Sequence, residues 1–476
     1  MKPRYPIFRL KTKSKIIQKY IIDLIQSGHY VEVETIPSTR DLAKKFRCSR
    51  LTVLNSMREL VREGWLESNE RKRYRVSKDV PLLFVDSSQK QILGNHTLKL
   101  SSFKPRSPEP EQVRCGFEFN AGNPDLRLFP MEDFRRAVGA GLKKTFAANL
   151  TYGEPNGIKA FREQYQEHLL KSRGIAKREL LITNGSQEAV FLLTRMLCQP
   201  GDTVVMEELG YPPIRDIFQS MGVKIKYVTL DSEGLSVLEI AEYVKKHRIK
   251  AVYLTPLHQY PTTVALSFQR RQILSSLALK NHFAIIEDDF DYDFHYTKIP
   301  PPSISTQCAN SFYVCSMSKS LFPGLRLGAI ATHPNFSDEL SFLKRTLNRQ
   351  TNSLAQIAVA SWMRNDTFLV HLRRMRRIYQ ERYYFLIEAL QRWKDSLNIE
   401  FNTPNGGLCV WVDTRRDADE ISRELLKRNI KISAESEFRF HGHRSTHLRF
   451  GFSSLNLSEL KEVLPRVENA IRKAKY

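Results

Sequence analysis

The chain has 476 residues, which is long for one core and suggests about three compact units. Its 41% hydrophobic and 26% charged residues are typical of a globular protein, and no run of about 18 apolar residues indicates a membrane span. The start, MKPRYPIFRL, has no apolar core, which argues against a secretory signal, and the 6 scattered cysteines form no metal-like cluster. We expect a cytoplasmic protein without a metal site.

The net charge of +23 is concentrated near the N-terminus. Residues 1–80 hold 19 Lys and Arg against 9 Asp and Glu, a net of +10, and the other 396 residues hold 55 against 42, a net of +13. A concentrated basic field suits a polyanion, because each neutralised phosphate releases condensed counterions. Basic surface is often only a solvated face, however, so charge alone leaves nucleic-acid binding open.

The first 80 residues carry the pattern of three helices and a hairpin. Apolar residues at helical spacing predict a helix over Lys13–Gln26, which Gly28 ends. Ser38 and Ser49 have the character of N-caps of two further short helices. A hairpin then begins at residues 65–66 and returns through 74–76. This order describes a winged helix-turn-helix, whose second helix of the pair enters the major groove of DNA.

The expected DNA contacts lie at the starts of these helices and on the wing. They are Ser49, Arg50, Thr52 and Asn55 at base edges, Arg40 at a phosphate, and Arg71, Lys72 and Arg73 at the wing tip. The alternative is a generic three-helix module. The stretch IPSTRDLAKKFRCSRLTVLNSMRELVREGWL resembles the GntR-family DNA-binding domain, with its P-S-x-R-x-L-A and S-R-x-T-V patterns. One departure is the wing, where SNERKR lacks the usual glycine-containing turn.

A connector follows the hairpin. Periodicity fades from about residue 78 to 114, and SSFKPRSPEPEQ has the Pro, Ser and Glu content of a semi-extended spacer. We therefore predict three segments: a DNA-binding domain in 1–79, a linker in 80–114 and an effector domain in 115–476.

Short apolar runs alternate with amphipathic helices from about residue 180 onward. The runs are LLIT, DTVVME, KIKYVTL, KAVYLTP, FAIIEDD, SFYVCSM and LGAIAT. Buried runs of this kind are typical of an α/β fold with a mainly parallel sheet covered on both faces. Ligands in such folds gather at the carboxyl ends of the strands.

Polar residues follow several of these runs. They are Gly185-Ser186-Gln187, Tyr211, His258 to Thr263, Asp288, Ser316, Ser318 and Lys319, with Arg326 seven residues later. Each alone is a weak signal, but together they match an aldehyde cofactor that bears a phosphate and a pyridine ring. A lysine forms the Schiff base, a helix start with Ser and Arg holds the phosphate, and a carboxylate keeps the ring nitrogen protonated.

Longer motifs support this interpretation. SMSKSLFPGLRLG, EDDFDYDF, TNGSQEAVFLLTRMLCQPGDTV and HLRFGF resemble the fold-type I aminotransferases, specifically the MocR-type regulators of the GntR family. The resemblance covers essentially the whole chain and includes the domain order. It implies a large core in about 150–345 and a smaller C-terminal α+β subdomain in about 346–476, which also takes in residues near 120–135.

The resemblance also implies pyridoxal 5'-phosphate (PLP) as the cofactor. Lys319 is then the Schiff-base lysine, Asp288 pairs with the pyridine nitrogen, and Tyr211 stacks on the ring. Tyr152 reaches the phosphate held by the other subunit of a head-to-tail homodimer, and Arg449 grips the carboxylate of an amino-acid effector. The residues implied around the phosphate are Ser186, Gln187, Ser316, Ser318 and Arg326. For Arg449 the alternative is a structural salt bridge.

Three departures from the family pattern concern this pocket. Phe290 stands where MocR-type proteins usually have a tyrosine aimed at the phenolic oxygen of the cofactor. The aminotransferase run Asn-Pro-Thr-Gly becomes Tyr260-Pro261-Thr262-Thr263. Pro213 lies near a place where some relatives use a basic residue to bind a second group of the substrate, and Arg215 is the candidate to replace that residue.

Three functions are compatible with these observations. The first is a transcription regulator that binds PLP and senses PLP or an amino-acid or amine effector. The second is a working aminotransferase with a DNA-binding appendage, against which the GntR-like helices argue. The third is a regulator whose pocket no longer holds cofactor, against which the intact lysine, aspartate and arginine set argues. We predict the first, and leave residual aminotransferase chemistry open.

Overall fold

The computed structural model describes residues 12–30, 36–68, 73–80, 115–143, 151–297, 299–440 and 445–475. The chain divides into two units, Met1–Ser102 and Phe103–Tyr476. Of the predicted linker, only residue 80 falls within the described residues, so the three segment boundaries stay predictions. Within the described ranges, no helix combines the length and the apolar character needed to cross a membrane.

The N-terminal unit is a three-helix domain with a hairpin. Its elements are α1 (Lys13–Gln26), α2 (Thr39–Lys45), α3 (Arg50–Arg62), β1 (Leu66–Ser68) and β2 (Tyr74–Val76). The hairpin is antiparallel, with Leu66 opposite Val76. Ile17, Val53 and Trp65 belong to a single buried apolar cluster that joins the helices to the hairpin. The structure therefore contains the winged helix-turn-helix that the sequence predicts.

Two serines begin the helices of the helix-turn-helix, as predicted. The hydroxyl oxygen of Ser38 accepts from the backbone N–H of Asp41, and that of Ser49 accepts from the backbone N–H of Thr52 at 3.1 Å. Each cap satisfies a donor that the first turn of a helix leaves unpaired, which is worth about 1 kcal/mol. The start of α3 is thereby fixed at Arg50.

The C-terminal unit contains eleven α-helices and fifteen strands among its described residues. The helices are α4 (Met131–Lys143), α5 (Lys159–Arg173), α6 (Ser186–Leu197), α7 (Pro212–Ser220), α8 (Val237–Val244), α9 (Phe268–Asn281), α10 (Ser337–Asn348), α11 (Ser353–Arg364), α12 (Thr367–Leu397), α13 (Ala418–Lys427) and α14 (Leu457–Lys473). The strands are β3 (Phe117–Glu118), β4 (Glu179–Thr183), β5 (Thr203–Glu207), β6 (Lys224–Val228), β7 (Leu230–Asp231), β8 (Gly234–Leu235), β9 (Ala251–Leu254), β10 (Ala284–Asp289), β11 (Ser311–Ser316), β12 (Gly328–Thr332), β13 (Glu400–Phe401), β14 (Cys409–Asp413), β15 (Ile430–Lys431), β16 (Ser433–Ala434) and β17 (His447–Gly451).

A seven-stranded sheet forms the centre of this unit, in the order β4-β12-β11-β10-β9-β5-β6. The pairs within β11-β10-β9-β5-β6 are parallel, whereas β12 is antiparallel to both of its neighbours. Each of the seven predicted runs contributes one strand to this sheet. Buried residues cover both of its faces, as a mainly parallel sheet requires. The predicted α/β class is confirmed.

A second, four-stranded antiparallel sheet, β13-β14-β17-β16, builds the smaller subdomain with α13 and α14. The start of the unit joins it, because β3 pairs with β15. The chain from Phe119 to Ala121 then packs beside β17, so closely that a Cβ on Gly451 would lie 2.4 Å from the backbone nitrogen of Ala121. The segment near residue 120 therefore packs with the small subdomain, whereas Phe129 and Phe134 pack in a cluster with strand residues of the large sheet.

Candidate functional site

The strand order brings the predicted polar residues to one edge of the large sheet. Asp288 is near the carboxyl end of β10, and Ser316 ends the neighbouring strand β11. Because β12 runs antiparallel, its first residues lie at the same edge, with Gly328 opposite both Ser316 and Thr183. Arg326, two residues before β12, is thereby brought to the carboxyl ends of the parallel strands.

A cavity of about 300 Å³ lies at this edge. Its walls include most of the residues that the sequence predicts for the cofactor and effector: Ser186, Gln187, Tyr211, Asp288, Ser316, Ser318, Lys319, Arg326 and Arg449. Residues from both the large sheet and the small subdomain therefore face one space. A ligand held there would contact both subdomains at once.

Lys319 lies in this cavity, just after β11. Its Nζ donates to the backbone carbonyl of Gly122, which comes from the start of the unit. Burial, together with the nearby charge of Arg449, lowers the pKa of the Lys319 amine to about 8. A larger fraction of this amine is therefore neutral at physiological pH than for an ordinary lysine, which favours reaction as a nucleophile.

Asp288 is 4% exposed, and its two carboxylate oxygens differ. Oδ2 accepts a hydrogen bond of 2.8 Å from the hydroxyl of Tyr253, whereas Oδ1 is buried without a hydrogen-bond partner among the described residues. Burial, joined by the charges of Asp289 and Asp291, raises the pKa of Asp288 to about 7. An acceptor that is buried without a donor is costly, so the arrangement favours a ligand that brings an N–H or a positive charge to Oδ1.

A second group of cavity residues has the character of an anion site. Gly185, at a φ of +83°, directly precedes α6, so Ser186 and Gln187 occupy the first turn of that helix. A Cβ on Gly185 would lie 3.1 Å from Nη2 of Arg326, which shows how closely the backbone approaches this guanidinium. Ser316 and Ser318 add two hydroxyls, which are hydrogen-bonded to each other at 2.9 Å. Helix N–H groups, hydroxyls and an arginine suit a phosphate.

Arg449 enters the cavity from β17 of the small subdomain and is 8% exposed. Its guanidinium lies 4.4 Å from the ring centre of Tyr260 and 5.7 Å from that of Phe438. Within the described part of the chain no carboxylate lies within ion-pair distance of this guanidinium, and its Nε has no hydrogen-bond partner. The geometry therefore favours binding of a ligand carboxylate over a structural salt bridge.

The sequence did not identify every residue that lines the cavity. Further wall residues are Asn120, Ala121, Gly122, Asn123, Tyr253, Thr255 and Pro323. The first four come from the small subdomain, about 200 positions before Lys319, and no local pattern links the two. Tyr253 lies in a continuous apolar strand, where a tyrosine looks like core. Only its hydroxyl indicates a polar role, because a buried tyrosine hydroxyl needs a hydrogen-bond partner.

The departures from the family pattern fall within or beside the cavity. Phe290 and Tyr260 both line it, with ring centres 5.8 Å apart in an edge-to-face arrangement. Thr263, which replaces a glycine, has a φ of +63° and does not line the cavity. Arg215 is not a wall residue either, because it is ion-paired with Asp216 and lies over the ring of Phe440. The structure thus gives no support for Arg215 as a substitute ligand.

Tyr152 lies outside the cavity of its own chain. Its side chain is 77% exposed, and the guanidinium of Arg349 lies 4.3 Å from its ring centre. A role in the pocket would therefore have to be in a second subunit, and it stays a prediction.

The predicted DNA contacts lie on the exposed side of the N-terminal unit. Arg40, Arg50, Asn55 and Arg73 are exposed, and Nε of Arg50 donates to Oγ1 of Thr39 at 3.2 Å. Ser49 and Thr52 are hydrogen-bonded to each other through their hydroxyls at 2.8 Å. Arg71 and Lys72 of the wing tip lie outside the described residues.

Comparison with known proteins agrees with this organisation. Residues 117–467 match the family model of class I and II aminotransferases, and residues 13–76 match that of the bacterial regulatory proteins of the gntR family. The chain belongs to the class I and II aminotransferase family. With the gntR-family domain ahead of it, the chain has the composition of the MocR-type regulators, so it is a DNA-binding regulator with a PLP-type domain.

Individual relatives support the assignment along nearly the full length. The probable rhizopine catabolism regulatory protein MocR of Rhizobium meliloti is 25% identical, covering 94% of this chain and 91% of that protein. The transcriptional regulator TauR of Rhodobacter capsulatus is 27% identical, with 96% of each chain covered. The kynurenine aminotransferase of Pyrococcus horikoshii, solved with PMP, is 25% identical with a TM-score of 0.71, covering 76% of this chain and 92% of that one.

PLP is the cofactor of this family, and the cavity residues fit it. Oδ1 of Asp288, which has no hydrogen-bond partner among the described residues, suits the protonated ring nitrogen. The anion site formed by Gly185, Ser186 and Arg326 suits the phosphate. Lys319 lines the same cavity and has an amine of lowered pKa, as a covalent attachment site requires. The role of each residue stays a prediction of the sequence that the geometry accommodates.

Proposed function

We propose that an amino acid or another amine with a carboxylate binds at Lys319 and Arg449 and thereby controls DNA binding by a homodimer of this chain. The observation that carries the proposal is the buried guanidinium of Arg449, which faces the same cavity as Lys319 and forms no ion pair among the described residues. A planar guanidinium without an ion-pair partner is suited to bind a carboxylate through two parallel hydrogen bonds.

The remaining chemistry divides between the cofactor and the protein. PLP, when bound, supplies an aldehyde carbon that captures an amine reversibly. Lys319 holds the cofactor and accepts or releases a proton at Nζ, while Asp288 holds the ring nitrogen protonated through Oδ1. Arg449 orients the carboxylate of the effector. The aromatic side chains of Tyr211, Tyr260 and Phe290 line the space and exclude water.

Arg449 lies close to residues at the boundary between the large and small subdomains, so ligand binding at Arg449 can alter the contacts at this boundary. Phe438, beside Arg449, packs with Leu209 and Trp411 in one small cluster. Next to it, Arg439 of the small subdomain is ion-paired with Glu208 of the large one at 3.2 Å and with buried Glu435. An effector that binds two arrangements of this boundary unequally would shift their populations, and only then could it act as a signal.

The effector arm can be tested with the full-length, PLP-loaded protein. A panel of L-amino acids and ω-amino acids is added, and the visible absorbance of the lysine-bound cofactor is recorded. We expect at least one compound to change the spectrum and also the affinity for the protein's own upstream DNA. Arg449→Met should abolish both responses while keeping the cofactor band, whereas the exposed Arg466→Met should behave as wild type. A response retained in full by Arg449→Met would contradict the proposal.

The cofactor arm has its own control. Lys319→Ala should lack the visible band after PLP is added, whereas wild type should show it. No band in the wild-type protein would overturn the cofactor assignment of the cavity, independently of any effector.

The DNA arm rests on α3. We propose that Arg50 and Asn55 read base edges, with Ser49 and Thr52 beside them, that Arg40 contacts a phosphate, and that the wing adds Arg73 together with Arg71 and Lys72. A gel shift on the upstream region should show weaker binding for Arg50→Ala, because bidentate base contacts are worth about 1–3 kcal/mol. Arg62→Ala, at the far end of α3 and paired with Glu59, is the matched control. Equal binding by both variants would refute this placement.

We also propose a head-to-tail homodimer in which Tyr152 reaches the phosphate of the other subunit. The support is an exposed apolar set on and near α10 and α11: Tyr152, Phe342, Leu347 and Leu354, all at least 46% exposed. Light scattering should give twice the mass of the chain. Tyr152→Phe should raise the Kd for PLP in a dimer, and a monomer with unchanged PLP affinity would refute both statements.

Aminotransferase turnover is the second candidate, and the lowered pKa of the Lys319 amine favours it. Phe290 argues against it, because the phenylalanine brings no hydroxyl to the cavity. Multiple turnovers with an amino donor and 2-oxoglutarate would establish this function, whereas conversion limited to one equivalent per cofactor would support sensing.

A further inference from the structure

The exposed face of the first part of α12 carries an unusual concentration of positive charge. Residues 364–377, from the last residue of α11 into α12, contain five arginines and one acidic residue, Asp366. Four of the arginines, all exposed, lie within five consecutive positions: Arg373, Arg374, Arg376 and Arg377. We call these four the α12 arginine cluster.

Among the described residues, no carboxylate neutralises the cluster through an ion pair. Arg376 donates to the backbone carbonyl of Asp293 and Arg373 to that of Leu369, while Arg374 and Arg377 form no hydrogen bond with the described residues. Within the described ranges, no carboxylate lies within ion-pair distance of any of the four. Glu381, one turn after Arg377, also forms no ion pair with it.

Exposed arginines elsewhere on the helices of this chain, including the later part of α12, are arranged differently. Several have a carboxylate three or four positions earlier and form an ion pair with it: Arg62 with Glu59, Arg135 with Glu132, Arg136 with Asp133, Arg392 with Glu388, Arg466 with Glu462, and Arg472 with Glu468. In the cluster this spacing joins arginine to arginine, because Arg376 and Arg377 follow Arg373 by three and four positions and Arg377 follows Arg374 by three. Like charges at i, i+3 and i, i+4 destabilise a helix, so the concentration of charge itself does not stabilise α12.

A polyanion is the partner that this surface fits. The chain carries a DNA-binding domain, and arginine side chains bind phosphate oxygens through a planar fork of donors. We propose that the α12 arginine cluster binds the phosphate backbone of double-stranded DNA, so that the aminotransferase-like domain contributes its own sequence-independent DNA contacts. The proposal rests on DNA binding by the chain but on no particular base contact of α3.

The salt dependence of binding tests this surface. The probe is a duplex of random sequence, which is bound through phosphates alone and therefore does not depend on operator recognition. Affinity for full-length, PLP-loaded protein is measured by fluorescence anisotropy at several NaCl concentrations. Each phosphate contact contributes about 0.9 to the slope of log affinity against log salt.

Arg374→Gln/Arg377→Gln is the informative variant, because these two side chains hold nothing else in place. We expect the slope of log affinity against log salt to be smaller in this variant by up to about 1.8. Between ~50 and ~200 mM salt, the variant should therefore lose about tenfold less affinity than wild type loses. Arg374→Lys/Arg377→Lys should keep most of the slope. Arg392→Gln/Arg466→Gln removes the same charge from two exposed, ion-paired positions and should leave the slope as in wild type.

Two results would overturn the proposal. One is a slope for Arg374→Gln/Arg377→Gln that equals the wild-type slope. The other is an equal loss in the Arg392→Gln/Arg466→Gln control, which would mean that only total charge matters. If the wild-type protein bound the upstream region but not random DNA, the cluster proposal would fail while specific recognition by α3 would stand.

Discussion

Replacing Asp288 by asparagine should stabilise the cofactor-free protein at high pH. The carboxyl of Asp288 is buried, and burial with the charges of Asp289 and Asp291 raises its pKa from 3.8 to about 7. Between these two values the folded protein holds a proton that the unfolded chain has released. Stability contributed by the neutral carboxyl is therefore lost as the pH rises from about 4 to about 7.

The size of the effect follows from the pKa difference. One pKa unit corresponds to about 1.4 kcal/mol, so a rise from 3.8 to about 7 costs at most about 4 kcal/mol above pH 7. About 3 kcal/mol of this falls between pH 5 and pH 8. An asparagine cannot ionise, and its amide oxygen can still accept the hydrogen bond from Tyr253. Asp288→Asn should escape this loss.

Urea unfolding of the cofactor-free proteins at pH 5 and pH 8 measures the difference. We expect Asp288→Asn to gain about 3 kcal/mol relative to wild type between the two pH values. Other titrating groups, such as the buried Glu207, are common to both proteins and cancel. The exposed Asp395→Asn should follow wild type. With PLP bound, wild type should be more stable than Asp288→Asn, because the variant offers the ring nitrogen no carboxylate. Parallel losses of stability in wild type and Asp288→Asn would refute the reasoning.

Three further predictions concern the phosphate cradle, the lysine and the recognition helix. Gly185→Ala should raise the Kd for PLP in a fluorescence titration, because its Cβ would lie 3.1 Å from Nη2 of Arg326. The control is Gly201→Ala, which has a similar positive φ but open space around its Cβ. It should lose stability and keep its PLP affinity. The rate at which apo-protein takes up PLP should rise as the pH passes about 8, where the amine of Lys319 becomes neutral; a stopped-flow rate that is flat from pH 7 to 9 would contradict this. Ser49→Ala should destabilise α3 by about 1 kcal/mol and weaken DNA binding in a gel shift. Ser236→Ala removes an equivalent cap from α8 and should leave DNA binding unchanged.

Local signals were sufficient for much of this fold. The first helix has the bounds Lys13–Gln26 that its spacing and Gly28 indicated. Ser38 and Ser49 cap the helices that they were expected to cap, because an N-cap depends only on residues within one turn. The seven apolar runs became the seven strands of one sheet, since a continuous apolar run with turn residues at its ends has few other uses in an α/β protein.

The parts of the site that the sequence did not predict depend on contacts between distant segments. Lys319 is hydrogen-bonded to Gly122, which is 197 positions away and follows β3, the strand that pairs with β15. Tyr253 becomes a partner of Asp288 because parallel strands β9 and β10 are adjacent, which a pattern within β9 cannot indicate. Tyr152 would complete a pocket only in a second chain. Periodicity and caps carry no information about any of these three relations.

The substitutions in the cavity give a physical reason to expect a sensor. Phe290 brings no hydroxyl, and Tyr260 directs its face to the guanidinium of Arg449 at 4.4 Å. The ring of Tyr260 packs edge-to-face against both Phe290 and Phe438 in an aromatic wall, and its hydroxyl accepts a hydrogen bond of 3.4 Å from Nη1 of Arg449. A polar contact to the cofactor can favour a transition state, whereas a wall that positions the arginine proposed to bind the carboxylate favours the bound ligand and the transition state alike. Such uniform binding raises affinity without raising the rate, and affinity is what a regulator requires of its effector site.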